Sequence, residues 1–490
     1  MAELDRVPAD LDVLIIGAGI SGIDAAYHLK TFRPQSRFAV VDTKPDIGGT
    51  WATHSFPGIR SDSDLHTFGF GWKPWRGPTI ATAAEIKAYL TEAIAENDLR
   101  PYMAFKRHVT RADWDSAAQS WTVEIAGPAG PETCRAGFLW VCAGYYRHDA
   151  GYMPDFPGRE RFAGPVVHPQ RWPDDLDVTD KHVVVIGSGA TAATLVPAIA
   201  DKTRLVTVLQ RSPTYYYARP SKDPFLDQLR ALDLPPDWLH EIMRRKVLAD
   251  SQQIAERSRT EPDALAAELI AGARLHLGKT IDVEKHFTPR YPPWRQRLAM
   301  VPDGDFLKAI RRGKADIVTD EIATFTETGI ELASGQSLEA DVIVSATGLE
   351  LNFLGDIPIT VDGAGFDPAQ SVTHRGIMLS DLPNLALVFG YLRSSWTLRS
   401  DMVSTYLIRL FAHMDTRGAK TVTPELRDAA QMPRKPWVDP ENFNPGYMLR
   451  ALDRLPKQGD AQPWIMTQDY FRDREDLPKA DLEDGTLVYR

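Results

Sequence analysis

Twice along the chain a short apolar strand runs into a glycine-rich turn that opens a helix. That order is read as a parallel sheet layered with helices, and it limits the fold more than any other feature. The first copy is Asp12-Val-Leu-Ile-Ile16 followed by Gly17-Ala-Gly19-Ile-Ser-Gly22, after which Ile20, Ile23 and Tyr27 recur on one helical face. The next strand, Phe38 to Val41, ends in Asp42, twenty residues past Gly22. The second copy is His182-Val-Val-Val-Ile186 followed by Gly187-Ser-Gly189-Ala-Thr-Ala192, with Ala192, Leu195 and Ile199 on one face. Pro197 inside that helix is expected to kink it. The strand after it, Arg204 to Leu209, ends in Gln210-Arg211-Ser212 rather than in an acid.

Each part has a physical reason. Glycines at 17, 19 and 22, and at 187 and 189, let the backbone approach a pyrophosphate. The helix starts at Ile20-Ser21 and at Ala190-Thr191-Ala192 then face the anion. Asp42 can accept hydrogen bonds from a ribose hydroxyl pair. An acid would repel a 2′-phosphate, whereas Arg211, with Ser212 beside it, can pair with one in a fork. The chain is therefore expected to be α/β, with two Rossmann-like dinucleotide-binding domains, FAD in the first and NADPH in the second.

At 490 residues the chain needs more than one core. We expect residues 1–150 to begin the FAD domain and 151–180 to form a connector. Residues 181–340 would then be the NADP domain, with a helical insertion at 222–280, and 341–490 would return to the FAD domain and end in a tail. A net charge of −10 argues against a nucleic-acid partner. No apolar run approaches the ~18 residues of a membrane-spanning helix. Val13 to Ile16 leads into a glycine loop rather than a cleavage site, so no signal peptide is read there. Cys134 and Cys142 are the only cysteines and lack Cys-x-x-Cys spacing, which fits a cytoplasmic protein and excludes a disulfide reductase. Cys142 reads as a small buried hydrophobe. No metal site is expected. Some of the twelve tryptophans should line a pocket.

The remaining landmarks are local. Gly48-Gly49-Thr50-Trp51 and Phe56-Pro57-Gly58-Ile-Arg60-Ser-Asp62 form a broken loop, where functional groups concentrate. Val109 to Ile125 alternates like a small antiparallel sheet, and Phe138 to Gly144 reads as a strand returning to a glycine turn under the same dinucleotide. Residues 286–297 are dense in proline, aromatics and arginine, and Asp341 to Gly348 is another strand with a glycine turn. Trp396 precedes a helix-like run from Met402 to His413, and the tail from Pro433 is expected to wrap over the first domain.

Between the two dinucleotide patterns lies Phe162-x-Gly164-x3-His168-x3-Trp172-Pro173, which resembles the fingerprint of the class B flavoprotein monooxygenases. Gly48-Gly49-x-Trp51-x4-Phe56-Pro57-Gly58-x3-Asp62 resembles the second fingerprint of type I Baeyer–Villiger monooxygenases. The likeness runs over nearly the whole chain. Residues 286–306, 394–398 and 444–459 are similar to the actinobacterial ethionamide-activating subgroup. That resemblance implies NADPH reduction of FAD, a C4a-peroxyflavin formed with O2, and its attack on a ketone to give a Criegee adduct and then an ester or lactone. S-oxygenation of a thioether would accompany it. A peroxide anion in a dry pocket needs a fixed cation. The resemblance puts Arg297 there, ahead of Arg290 and Arg295, with Asp62 as its carboxylate partner. It places Trp396 near the nicotinamide ribose and gives His168 a hinge role rather than a chemical one. The cofactor-binding set then includes Gly49, Thr50, Trp51, Asp62, Val109 and Gly144. Gln296 stands where many relatives carry lysine, so NADP preference rests on Arg211 and Ser212. Substrate choice would fall to the loops at 286–297 and 391–398. The alternatives are a flavin monooxygenase acting mainly on sulfur or nitrogen, and a non-catalytic dinucleotide sensor. The intact glycines, Asp42, Asp62 and Arg297 argue against the second.

Overall fold

A computed structural model describes residues 3–427 and 432–490. A nine-stranded sheet is centred on Asp10–Ile16, which pairs in parallel with Phe38–Asp42 on one side and Gly130–Val141 on the other. Leu14 and Ile15 are fully buried, because helices or further chain cover both faces. Phe38–Asp42 also pairs with Met103–Phe105. On the far side His108–Asp115, Ser120–Gly127 and Gly130–Val141 form an antiparallel meander. The chain returns to this sheet late, through Ile359–Val361 and Leu385–Leu387. A second, five-stranded sheet is all parallel, in the order 315–319, 205–210, 182–186, 342–345, 166–167.

The two glycine turns share one backbone solution. Gly19 and Gly189 cap the helices Ile20–Phe32 and Ala190–Ile199 with the same φ of −76° and ψ of −170°. Gly17 and Gly187 take φ of +110° and +114°, where a side chain would be strained. A Cβ on either would meet a carbonyl 2.4 Å away, that of Cys142 or of Ala346, at the end of the neighbouring strand.

Several expectations need correction. Phe138 to Val141 is not a separate return strand. It is the last third of a twelve-residue strand, Gly130–Val141, that leaves the meander and enters the parallel layer. The connector is partly sheet: Val166–Val167 forms the edge strand of the second sheet, because its amides pair with Val342–Ser345. Pro197 sits in the last turn of its helix, which continues to Ile199. The strand Leu205–Gln210 carries one residue further than expected. Gln210 is buried, and its amide donates to the His286 carbonyl (2.7 Å) and to Thr319 Oγ1 (2.9 Å). Of the tryptophans, Trp121, Trp140 and Trp437 are fully buried core, whereas Trp51 and Trp396 line a cavity, as expected of some of them.

Helices Pro224–Ala231, Pro236–Thr260 and Pro262–Leu277 fill the 222–280 region. Among the described residues no helix is long and apolar enough to cross a membrane. Downstream, Thr397–Arg417 packs on Ile20–Phe32. From the tail, Trp437 and Met448 enter the core under the first sheet, and Leu487–Tyr489 pairs with Val422–Pro424.

Between those two helices lies a buried charge. Asp24 accepts from Trp72 Nε1 (2.9 Å), Ser400 Oγ (3.2 Å) and Ser404 Oγ (2.6 Å), with His28 Nδ1 3.4 Å away. Burial opposes charging His28, but the Asp24 carboxylate outweighs it and pushes the imidazole up to about 9. Asp401 stands beside them, its carboxyl held well above the usual range by burial and then by the Asp24 charge. Because His28 titrates higher folded than unfolded, its contribution is complete below pH 6.5 and is lost as pH rises toward 9. His28→Gln should therefore cost about 3 kcal/mol at most near pH 6 and little above pH 9. Thermal melts of both proteins across pH 6–10 check this, and a constant gap across that window would refute it.

Candidate active site

A cavity of about 690 Å³ opens at the carboxyl ends of the first sheet's parallel strands, where open α/β sheets place their ligands. Gly17, Gly19, Ile20, Ser21 and Asp42 line it from the first turn and strand, and Gly49, Thr50, Trp51 and Asp62 from the broken loop. Val109, Gly144, Arg297 and Trp396 complete the expected set. Gly22 lies beneath the turn instead: a Cβ there would stand 1.8 Å from the Gly17 carbonyl oxygen. Gly187, Gly189, Ala190, Thr191, Ala192, Arg211 and Ser212 do not line this cavity; they belong to the second sheet's turn. Arg211 and Ser212 are exposed just past the strand end.

The residues around the cavity fit a flavin dinucleotide. Gly19 and Gly49 face each other so closely that a Cβ on Gly49 would lie 3.1 Å from Gly19 Cα. Two bare backbones therefore wall a slot at a helix start, which suits a pyrophosphate. Asp42 accepts the amides of Ala18 (2.7 Å) and Lys44 (2.8 Å), which hold its carboxylate in place while lone pairs remain for a diol. At the second turn, space is open in front of Gly189, with Arg211 at the neighbouring strand end, as a dinucleotide phosphate requires.

Arg297 lines the cavity, as do Arg107 and Arg147, which are paired with Glu132 and Asp356. Arg290 and Arg295, the neighbours of Arg297 in its loop, do not line it. Arg297 Nη2 lies 3.8 Å from Asp62 Oδ2, and its side chain keeps 35% exposure in the cavity it lines. Burial works against its charge. The Asp62 carboxylate outweighs it and holds the guanidinium well above its ordinary range. At 3.8 Å the pair is an ion contact without a hydrogen bond, so donors remain free for a ligand.

Tyr145, Tyr146 and Tyr447 lacked a motif of their own. Tyr145 and Tyr146 follow the Gly144 turn directly, and Tyr447 comes from the distant Asn444-Pro-Gly-Tyr447 stretch. Tyr145 and Tyr146 share a 2.8 Å hydroxyl contact, and burial raises both phenols, so both stay neutral. Tyr145 stacks on Trp396 with ring centres 4.7 Å apart, and Trp396 Nε1 donates to Ser21 Oγ at 3.1 Å. The cavity therefore joins a cation, two neutral phenols and aromatic walls.

His168 lies elsewhere. Its Nε2 meets the Gly348 carbonyl at 2.9 Å, and its Nδ1 accepts from the Gln170 amide at 3.2 Å, which fixes a neutral ring with the proton on Nε2. Burial lowers its pKa further. It packs against Gly151, in the two-stranded ribbon where Tyr146–Gly151 meets Leu349–Leu351.

Comparison with known proteins agrees with this geometry. A model of NAD(P)-binding Rossmann-like domains matches residues 15–77, and one of flavin-binding monooxygenase-like proteins matches residues 75–248. The chain is 44% identical to the probable FAD-binding monooxygenase AlmA of Acinetobacter baylyi, over 98% of this chain and 96% of that protein. It is 44% identical to the FAD-containing monooxygenase EthA of Mycolicibacterium smegmatis, with the same coverage. Among solved structures, an oxidised steroid monooxygenase bound to NADP superposes with a TM-score of 0.79 at 23% identity, over 98% of this chain and 99% of that one. An open cyclohexanone monooxygenase gives 0.71 at 21%, over 86% and 91%. At such identities these structures show a shared fold.

The contact beneath the first turn leaves no room for a methyl group. Gly22→Ala should bind no dinucleotide at the first site, read as loss of flavin-type absorbance relative to the parent when both are mixed with FAD and desalted. Retention of that absorbance would refute the steric argument.

Proposed function

The chain belongs to the flavin-binding monooxygenase family, and from that premise we propose that it is a Baeyer–Villiger monooxygenase, converting ketones to esters or lactones with NADPH and O2. In this reading FAD, reduced by NADPH, supplies the activated oxygen when bound. The observation that carries the reading is Arg297 in the cavity wall with free donors and Asp62 behind it. A fixed guanidinium keeps its charge at any working pH and stabilises a negatively charged oxygen that must attack a carbonyl carbon. Asp62 orients that guanidinium. Tyr145 and Tyr146, neutral and lining the cavity, can donate to a carbonyl oxygen, and Trp396 and Tyr145 give an apolar wall for the carbon skeleton.

The first turn, with Asp42, Gly49, Thr50, Trp51, Val109 and Gly144, would hold FAD. The second turn, with Arg211 and Ser212 on the 2′-phosphate, would hold NADPH. The corresponding domains are residues 1–150 with 341–490, and residues 181–340, with 151–180 between them. The neutral, doubly bonded His168 on the ribbon beside Gly348 supports a hinge role. The substrate would be a small ketone or thioether, and the net charge of −10 argues against a nucleic-acid partner.

The deciding experiment supplies NADPH and O2 with a linear ketone, a cyclic ketone and a thioether in parallel, and measures product per NADPH consumed. Ester formation matching NADPH consumption is expected. Sulfoxide without ester would move the reading to a heteroatom monooxygenase, and hydrogen peroxide alone would remove it. Arg297→Ala should lower kcat for ester formation roughly 10²-fold, with NADPH consumption diverted to peroxide. Arg211→Ala should raise KM for NADPH about tenfold and leave NADH unchanged, because only the phosphate contact is lost. Equal effects on both coenzymes would remove Arg211 from that role.

A further inference from the structure

The loop that carries Asp62 belongs in sequence to the first half of the chain, yet it is built into the second. Phe56 is 3% exposed and sits in the hydrophobic cluster under the second sheet, with Val183, Leu195 and Phe306. Gly58, at φ +79°, presses so closely on the helix Ala190–Ile199 that a Cβ would stand 2.6 Å from Ala198 Cβ and 2.8 Å from the Thr194 carbonyl oxygen. Arg60 then spans the seam. Its backbone bridges to Thr82 in the first half, flanked by the Ser61 amide on the Ala81 carbonyl (2.8 Å) and the Ala83 amide on the Ile59 carbonyl (3.1 Å). Its Nη1 donates to Asp305 Oδ2 at 2.7 Å, with the two side chains 19% and 29% exposed. Asp305 opens the helix Asp305–Arg311, which packs on Ala190–Ile199.

Two residues past Arg60, Asp62 faces Arg297, which lies eight residues before Asp305. The same two segments are thus joined by two ion pairs of opposite polarity. Sliding in one direction would bring Arg60 toward Arg297, and in the other direction Asp62 toward Asp305, so like charges would approach either way. Of the two contacts, only Arg60–Asp305 is a hydrogen-bonded ion pair; Asp62–Arg297 is a looser contact at 3.8 Å. We infer that Arg60 is a positioning residue: its pair with Asp305 fixes the register of the two halves and so sets where the Arg297 guanidinium stands in the cavity. Arg60 acts through Asp62 and Arg297 and does not itself line the cavity. The inference rests on the reading of Arg297 as the cation of the reaction.

Both native cysteines are buried, so exposed positions can be labelled selectively. Spin labels on Ala117→Cys and Lys314→Cys, one exposed site on each half, report the distance between the halves in the flavin-loaded enzyme. Arg60→Gln should broaden that distance distribution and cut ester formed per NADPH about tenfold, with flavin content and melting temperature near the parent's. Arg60→Lys, which keeps the charge, should retain the parent's distribution and more than half its coupling. An unchanged distribution or unchanged coupling in Arg60→Gln would overturn the inference, as would equal losses in the Gln and Lys variants or a loss that merely follows flavin content. Should Arg60→Gln not fold, Asp305→Asn tests the same pair from the other side. Arg297→Ala separates the two claims. If it uncouples the enzyme while Arg60→Gln does not, this inference alone fails; if Arg297→Ala has no effect, the functional reading beneath it fails.

Discussion

The molecule depends on a steric fact repeated twice: a strand end pressed against a glycine that cannot carry a side chain. Gly17 under the Cys142 carbonyl and Gly187 under that of Ala346 adopt positive φ, and each lets the neighbouring strand reach the edge of the turn. Gly22, packed on the Gly17 carbonyl, closes the helix onto the same point. From these contacts follow the parallel order of the central strands, the helix starts that face outward, and the cavity at the strand ends. The rest of the chain covers these two units or joins them.

What distinguishes the first cavity is the company of Arg297. Arg297 arrives from a loop of the second half, Asp62 from the first, Tyr145 and Tyr146 from beyond the Gly144 turn, and Tyr447 from the C-terminal region. No two of these four groups of residues are close in sequence. The guanidinium is charged at any working pH, and the Asp62 carboxylate beside it favours that charge further. The result is a fixed positive charge beside an aromatic wall, which is what an attack by a negatively charged oxygen on a carbonyl requires.

The buried Asp24, His28 and Asp401 group shows the same economy in a structural setting. It ties the helix that begins at the first glycine turn to the late helix Thr397–Arg417, and so fixes Trp396, one residue before that helix, over the cavity. The long insertion at 222–280 joins this arrangement through Arg244, whose guanidinium donates to the carbonyls of His66 (3.0 Å) and Gly69 (3.3 Å).

The sequence by itself determined the two strand–turn–helix units, because glycine placement and apolar periodicity are local and each motif carries its reason within about thirty residues. It also marked Asp42 and Arg211 at the strand ends, while resemblance marked the Trp51 to Asp62 loop. Resemblance rather than residue pattern singled out Arg297, since three arginines crowd that loop and nothing local separates them. Only the tertiary structure decided between them, by turning Arg297 alone toward the cavity. It also decided that the connector lends a strand to the second sheet, that Gln210 is a buried clamp, and that Arg60 bridges the seam. The physical reason is common to all of these. A side chain's role across an interface depends on which distant segment packs against it, and that information lies in three-dimensional packing rather than in any stretch of sequence.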